Sequence, residues 1–357
     1  MGSLRSTFGR AGLTAVVLAA GGLLAAQGRD AAPPRATRPS ADPASIATQS
    51  PPGWKVPRLP DGRPDLQGVW ENNSATPLER PRELAGKPRL TDAELEDLKR
   101  RAAQTFGPDS DAVFGDSLYL ALLDESRPRQ LGATGTYSSN WLPDRYFEHR
   151  TSLIESPADG KLPPVTAETA RIRAARAAAP ARRPESAAEM AVTDRCISYG
   201  VPDLFASYMS LYRIVQTPDT VAIEMEKIHD VRIIPLDGRP RLSPVHRHYM
   251  GDPRGRWDGD TLVIESTNFH PAGNYMGGLF RQPDQNLTLT ERLTRVSDDS
   301  MRLEFTVDDP TVWTAPWTAA VYWRRATGEI YEYACHEGNY SARGMLSAAR
   351  AEEEAGR

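Results

Sequence analysis

The sequence predicts a mainly β protein in which an antiparallel meander closes into a barrel. Three observations carry this. From residue 211 onward, short segments rich in β-branched and aromatic residues recur at hairpin spacing. Turn signatures separate them, with no helical stretch between: Thr217-Pro218-Asp219, Asp258-Gly259-Asp260, Ser297-Asp298-Asp299 and Thr327-Gly328. The clearest segment alternates strictly, with Met301, Leu303, Phe305 and Val307 on one face and Arg302, Glu304 and Thr306 on the other. A sheet this long must curl or close to hide its edges. The expected result is a barrel broadly like the calycins and lipocalins, with a few peripheral α-helices from the N-terminal half.

Taken in order, residues 1–28 read as a signal peptide. Arg5 and Arg10 form a positive start, residues 11–26 are apolar, and Ala25, Ala26 and Gly28 suit cleavage. The apolar run is short and weakly hydrophobic, so no stable membrane span is expected after cleavage. Residues 29–60, rich in Ala and Pro, lack an apolar period and read as a disordered linker. A single domain is expected over 61–357. Residues 65–70 suit a first strand. Thr91 and Glu94 form a capping box, and Leu95, Leu98 and Ala102 follow at helical spacing, predicting a helix over 91–106. Residues 118–123 suit a short helix and 151–155 a strand before the turn at 157–160. Thr166 caps a helix to 179, stopped by Pro180. Strands are then expected at 211–216, 221–226, 231–235, 256–257, 261–268, 287–296, 301–307, 317–325 and 329–335, and a closing helix at 344–355.

Composition narrows the partners. The 357 residues include 30 prolines, which argue against a mostly helical fold, and the net charge of -4 gives no electrostatic reason for a nucleic-acid partner. Phosphate-binding, dinucleotide, zinc-protease, serine-hydrolase and CxxC motifs are missing from the sequence, so no cofactor is expected. His246 and His248, with Asp252, resemble half of a metal site, but a third ligand is lacking and no metal is expected. Oligomeric state is not legible.

Cys196 and Cys335 are the only cysteines. In an exported chain they most simply form one disulfide, the alternatives being two buried thiols or a reactive Cys335. Residues 331–340, YEYACHEGNY, gather a cysteine, a histidine and a carboxylate in one stretch. His336 is the first catalytic candidate, with Glu337 or Glu291 as its partner. On a strand, His336 and Glu337 point to opposite faces and act together only if the strand breaks. Glu291 sits in the apolar row of Leu287, Leu289 and Leu293. It is either an acid or base of raised pKa, or the partner of a buried arginine. Trp317, Trp323, Tyr331 and Tyr333 are candidates to line a site for a planar or apolar ligand.

The phrases at 65–70 (DLQGVW), 228–240 (IHDVRIIPLDGRP), 251–269 (GDPRGRWDGDTLVIESTNF), 305–317 (FTVDDPTVWTAPW) and 331–340 (YEYACHEGNY) resemble a family of exported bacterial proteins whose activity is not known. The resemblance covers most of 60–350 and implies export and a β-rich domain. It includes no His-x-His pair at 246–248. The expectation is an exported barrel binding a small, partly apolar ligand. The alternative is a cofactor-independent acid/base enzyme, a lyase, isomerase or hydrolase, using His336 with a carboxylate in the barrel mouth.

Overall fold

Leu211–Gln216, Thr220–Met225 and Val231–Pro235 form three antiparallel strands whose alternate residues are buried, as their β-branched alternation requires. The computed structural model describes residues 46–105, 116–123, 145–179, 184–204, 209–275, 280–281 and 286–355, all within the compact unit Asp42–Arg357. The expected signal peptide lies outside the described residues.

In chain order the strands are β1 (Gly68–Glu71), β2 (Ile154–Ser156), β3 (Leu211–Gln216), β4 (Thr220–Met225), β5 (Val231–Pro235), β6 (Asp252–Asp258), β7 (Thr261–Thr267), β8 (Asn274–Tyr275), β9 (Phe280–Arg281), β10 (Thr288–Arg295), β11 (Ser300–Asp308) and β12 (Trp317–Arg325). The helices are α1 (Asp92–Thr105), α2 (Asp116–Leu123), α3 (Ala167–Ala178) and α4 (Tyr340–Glu354). Nine strands follow one antiparallel path, β5-β4-β3-β1-β12-β11-β10-β7-β6, and make a nearly closed barrel. The short β2 pairs with β12 beside this path, and β8 and β9 form a separate hairpin.

Nine is an odd number, so the two end strands of an antiparallel path run the same way. An antiparallel ladder cannot join β5 to β6, and the connection 236–251 must return along the barrel. The two strands meet by packing instead. Gly255 on β6 lies so close to β5 that an added Cβ would stand 2.5 Å from Leu236 Cδ2 and 2.8 Å from Ile234 Cγ2.

The strand expected at 329–335 is not a strand. The seat beside β12 is taken by β1, where Trp70 pairs with Arg325 and Glu71 with Arg324. Ala326 still donates to the Val69 carbonyl, and then the chain turns away. Its amides at Tyr331 and Tyr333 are engaged by side chains instead of a ladder. The linker also differs from expectation. From residue 46 the chain is docked: Ser300 Oγ donates to the Ala47 carbonyl, Tyr322 Oη to that of Thr48, and Trp54 Nε1 to Asp298.

One contiguous apolar cluster fills the barrel, with Trp70, Ile214, Leu262, Ile264, Phe305 and Trp317 among its fully buried members. A second, smaller cluster lies under α1 and α2, around Leu95, Leu98, Tyr119 and Phe147. The α1 capping box forms as its sequence predicts. Thr91 N donates to Glu94 Oε2 at 2.9 Å and Glu94 N to Thr91 Oγ1 at 3.3 Å. Contacts with Lys87 and then Thr91 hold the Glu94 carboxyl down at about 2.

Candidate functional site

Of the two readings open for Glu291, the structure shows the ion pair. Its neighbours on β10 point into the barrel, and so does Glu291, paired across to Phe305 and Ile264. Arg232 on β5 meets it with Nη1 to Oε1 at 3.0 Å and Nη2 to Oε2 at 2.5 Å, and Ser266 Oγ accepts a further bond at 3.3 Å. Both side chains are under 5% exposed, at 4% and 2%. The carboxylate is therefore occupied, inside a packed core.

His336 and Glu337 lie elsewhere, exposed in the turn that precedes α4. Glu291 is within the barrel wall and they are outside it, so the three do not converge on one cavity. Their segment acts as a strap. The disulfide Cys196–Cys335 ties it to the loop before β3. Tyr331 N donates to Glu226 Oε1 at 3.1 Å, Tyr333 N to His229 Nε2 at 2.7 Å, and Asn339 Nδ2 to the Asp194 carbonyl at 2.7 Å.

The strap grips both sides of Lys227, a buried cation that the sequence alone did not flag. Lys227 Nζ donates to Asp203 Oδ2 at 2.8 Å, and Tyr212 Oη donates to the same oxygen at 3.1 Å. Burial first, and then the Asp203 charge, push the Tyr212 hydroxyl well above its ordinary value. Tyr212 in turn stacks on Trp323 at 4.4 Å and 6°. Four non-glycine residues with left-handed backbone gather around these elements: Cys196, Met209, Ile228 and His229, at φ between 56° and 61°. For a β-branched residue such as Ile228 that conformation costs on the order of 1–3 kcal/mol, and it persists only where surrounding contacts fix it. The strap supplies such contacts.

Glu226 shows the electrostatic cost of this arrangement. Burial raises its pKa, while the bonds from Tyr331 and Leu211 offset part of the rise. A carboxyl whose folded value is raised favours folding below its unfolded value and loses that contribution as pH climbs through the folded one. Glu226→Gln keeps an acceptor for Tyr331 without the charge. It should stabilise the protein at neutral pH by on the order of 1 kcal/mol. The gain should fade as pH falls into the acid range, as urea unfolding at two pH values would show.

The four aromatic candidates divide. Trp317 and Trp323 are core residues, and Trp317 packs edge-on against Phe305 at 5.9 Å. Tyr331 and Tyr333 belong to the strap, Tyr331 being exposed. Trp323 reaches the polar end by stacking on Tyr212, and Tyr331 and Tyr333 reach it through their main-chain amides. His246 and His248 are both exposed, and among the described residues no group of three or more His, Cys, Asp and Glu is placed to hold a metal ion.

A concave surface forms beside the turn at 157–160. Segments 77–90 and 149–160 run side by side. Leu153 N donates to the Pro77 carbonyl, Ile154 N to Leu78, Arg80 N to Gly160 and Leu90 N to His149. Between them lies a groove of about 370 Å³ lined by Arg80, Ala85, Gly86, Pro88, Ala158, Asp159 and Lys161. Arg80 forms its floor and is 6% exposed. Its Nε donates to Thr151 Oγ1 at 3.0 Å, and its Nη1 to the carbonyls of Ala158 and Asp159 at 3.3 and 2.5 Å. Gly160, at φ +71°, lies flat against the guanidinium, where a Cβ would stand 2.9 Å from Nη2. The turn residues at 157–160 were legible in the sequence. The arginine that locks them comes from 78 positions upstream and was not.

The fold and the groove define the molecule as a disulfide-tied β-barrel with a small surface cleft. Compared with models of protein families and with curated protein sequences, the chain matches none.

Proposed function

We propose that this is an exported barrel protein that binds a small, partly apolar ligand, and that the ligand lies in the groove over Arg80. The observation that carries the reading is the groove itself: a cleft with apolar walls from Ala85, Pro88 and Ala158 around a few polar groups. The barrel interior is packed, since its inward residues form a single buried cluster. Export to the periplasm or beyond is supported by the disulfide, which belongs to oxidising compartments, and by the charge and hydropathy of residues 1–28. Among the described residues no helix is long and apolar enough to cross a membrane. Kinship with the exported bacterial family fits the same reading. The acid/base alternative draws no support from Glu291 and His336, which share no cavity.

Ala158 is exposed at the groove wall. Ala158→Phe should fill the groove and abolish the thermal shift that a bound ligand produces. The change in stability without ligand should stay within about 0.5 kcal/mol. A library screen by thermal shift on both proteins makes the test. Hits that stabilise wild type and variant equally would place binding elsewhere.

A further inference from the structure

We propose that the ligand of this groove is a small amphipathic carboxylate, its head accepting from Nη2 of Arg80 and its apolar body against Ala85, Pro88 and Ala158. This rests on the groove being the binding site and adds the chemistry of its occupant.

Arg80 is a buried cation that pairs with no carboxylate among the described residues, whereas Lys227 and Arg232 each pair with one at 2.8 Å or less and Arg295, held mainly by main-chain carbonyls, has Asp298 at 4.0 Å. All of its described acceptors are neutral: the Thr151 hydroxyl and two main-chain carbonyls. Such acceptors orient a guanidinium but leave its charge largely uncompensated, an arrangement that is costly in a desolvated setting. The N–H groups of Nη2 have no described acceptor, and Arg80 lines the groove. A planar carboxylate is the natural complement of a guanidinium edge.

The surroundings favour a single negative charge. Lys161 stands on the rim and adds a second cation. Asp159, the one acid in the lining, turns its carboxylate back to accept from the Lys161 amide at 3.0 Å. Close by, Glu79 accepts from the Leu162 amide and Glu83 pairs with Arg82. The Nη2 N–H groups of Arg80 and one rim ammonium suit a monoanion. A phosphate dianion would call for more donors than the groove presents. The rest of the lining is apolar, so the anion must carry a hydrocarbon body to use it.

The test is a titration of the purified protein with hexanoate, hexanol and inorganic phosphate, followed by amide chemical shifts. Hexanoate should move the amides of Gly86, Ala158 and Lys161 saturably, with an affinity about tenfold above that of hexanol. Lys161→Glu, a rim change that leaves the packing alone, should weaken hexanoate about threefold and leave hexanol unchanged. Arg80→Lys, if folded by circular dichroism, should lose the preference for hexanoate. Equal binding of hexanol and hexanoate, unaffected by Lys161→Glu, would overturn the carboxylate while leaving the groove as a binding site. Phosphate binding as tightly as hexanoate would overturn the amphipathic class. If no probe moves the groove amides, this inference and the ligand-binding proposal both fail.

Discussion

Replacing Glu291 with leucine should destabilise the protein by about 3–5 kcal/mol, because it strands the Arg232 guanidinium inside the barrel. Arg232→Met should be comparably harmful for the converse reason. The double variant should recover most of the loss. Two charges at 4% and 2% exposure give up their hydration, and their mutual attraction offsets that loss only with complete hydrogen bonding. Here the bonding is incomplete, since Arg232 Nε is buried with no acceptor among the described residues. An apolar pair of similar volume removes that deficit together with the charges. Urea unfolding of the two single variants and the double one measures the coupling directly. Single variants within about 1 kcal/mol of wild type would show that the pair is not buried as described.

Removing the disulfide is the second large effect. Cys196 and Cys335 are 139 positions apart and enclose every strand from β3 to β12. Opening so long a loop returns chain entropy to the unfolded state, up to about 5 kcal/mol in the loop-closure model. For a unit of this size that corresponds to a fall of roughly 10 °C in Tm. Serine at both positions should also release the strap. Amide exchange at 331–339 should accelerate while β10, β11 and β12 keep their protection, because the strap is not paired into the sheet. Unchanged Tm together with unchanged exchange in the strap would contradict this.

The barrel was legible because its signals are local. Strands β3, β5 and β12 have the bounds that alternation and turn residues predict, and the α1 cap forms as Thr91 and Glu94 require. What failed was a matter of competition. Residues 329–335 alternate well enough for a strand, but the free edge of β12 is claimed by β1, more than two hundred positions earlier in the chain. Sequence pattern says that a segment suits a strand and cannot say which segment wins the seat. Glu291 was legible as an anomaly, a carboxylate in an apolar row, but its partner on another strand was not. Asp203, Lys227 and Arg80 left no mark, since each is buried and paired by contacts with segments distant in the chain.

The position of β1 also governs when the barrel can be completed. Glu71 and its partner Arg324 are 253 residues apart, yet β1 sits in the middle of the strand path, between β3 and β12. The first strand therefore waits, unpaired on one side, until the last has arrived. A chain that emerges from its N-terminus cannot complete this barrel piecemeal. Closure comes as one late event with high contact order, and is correspondingly slow. During that interval β1 and β12 each expose an edge, the kind of unpaired strand that invites association with other chains.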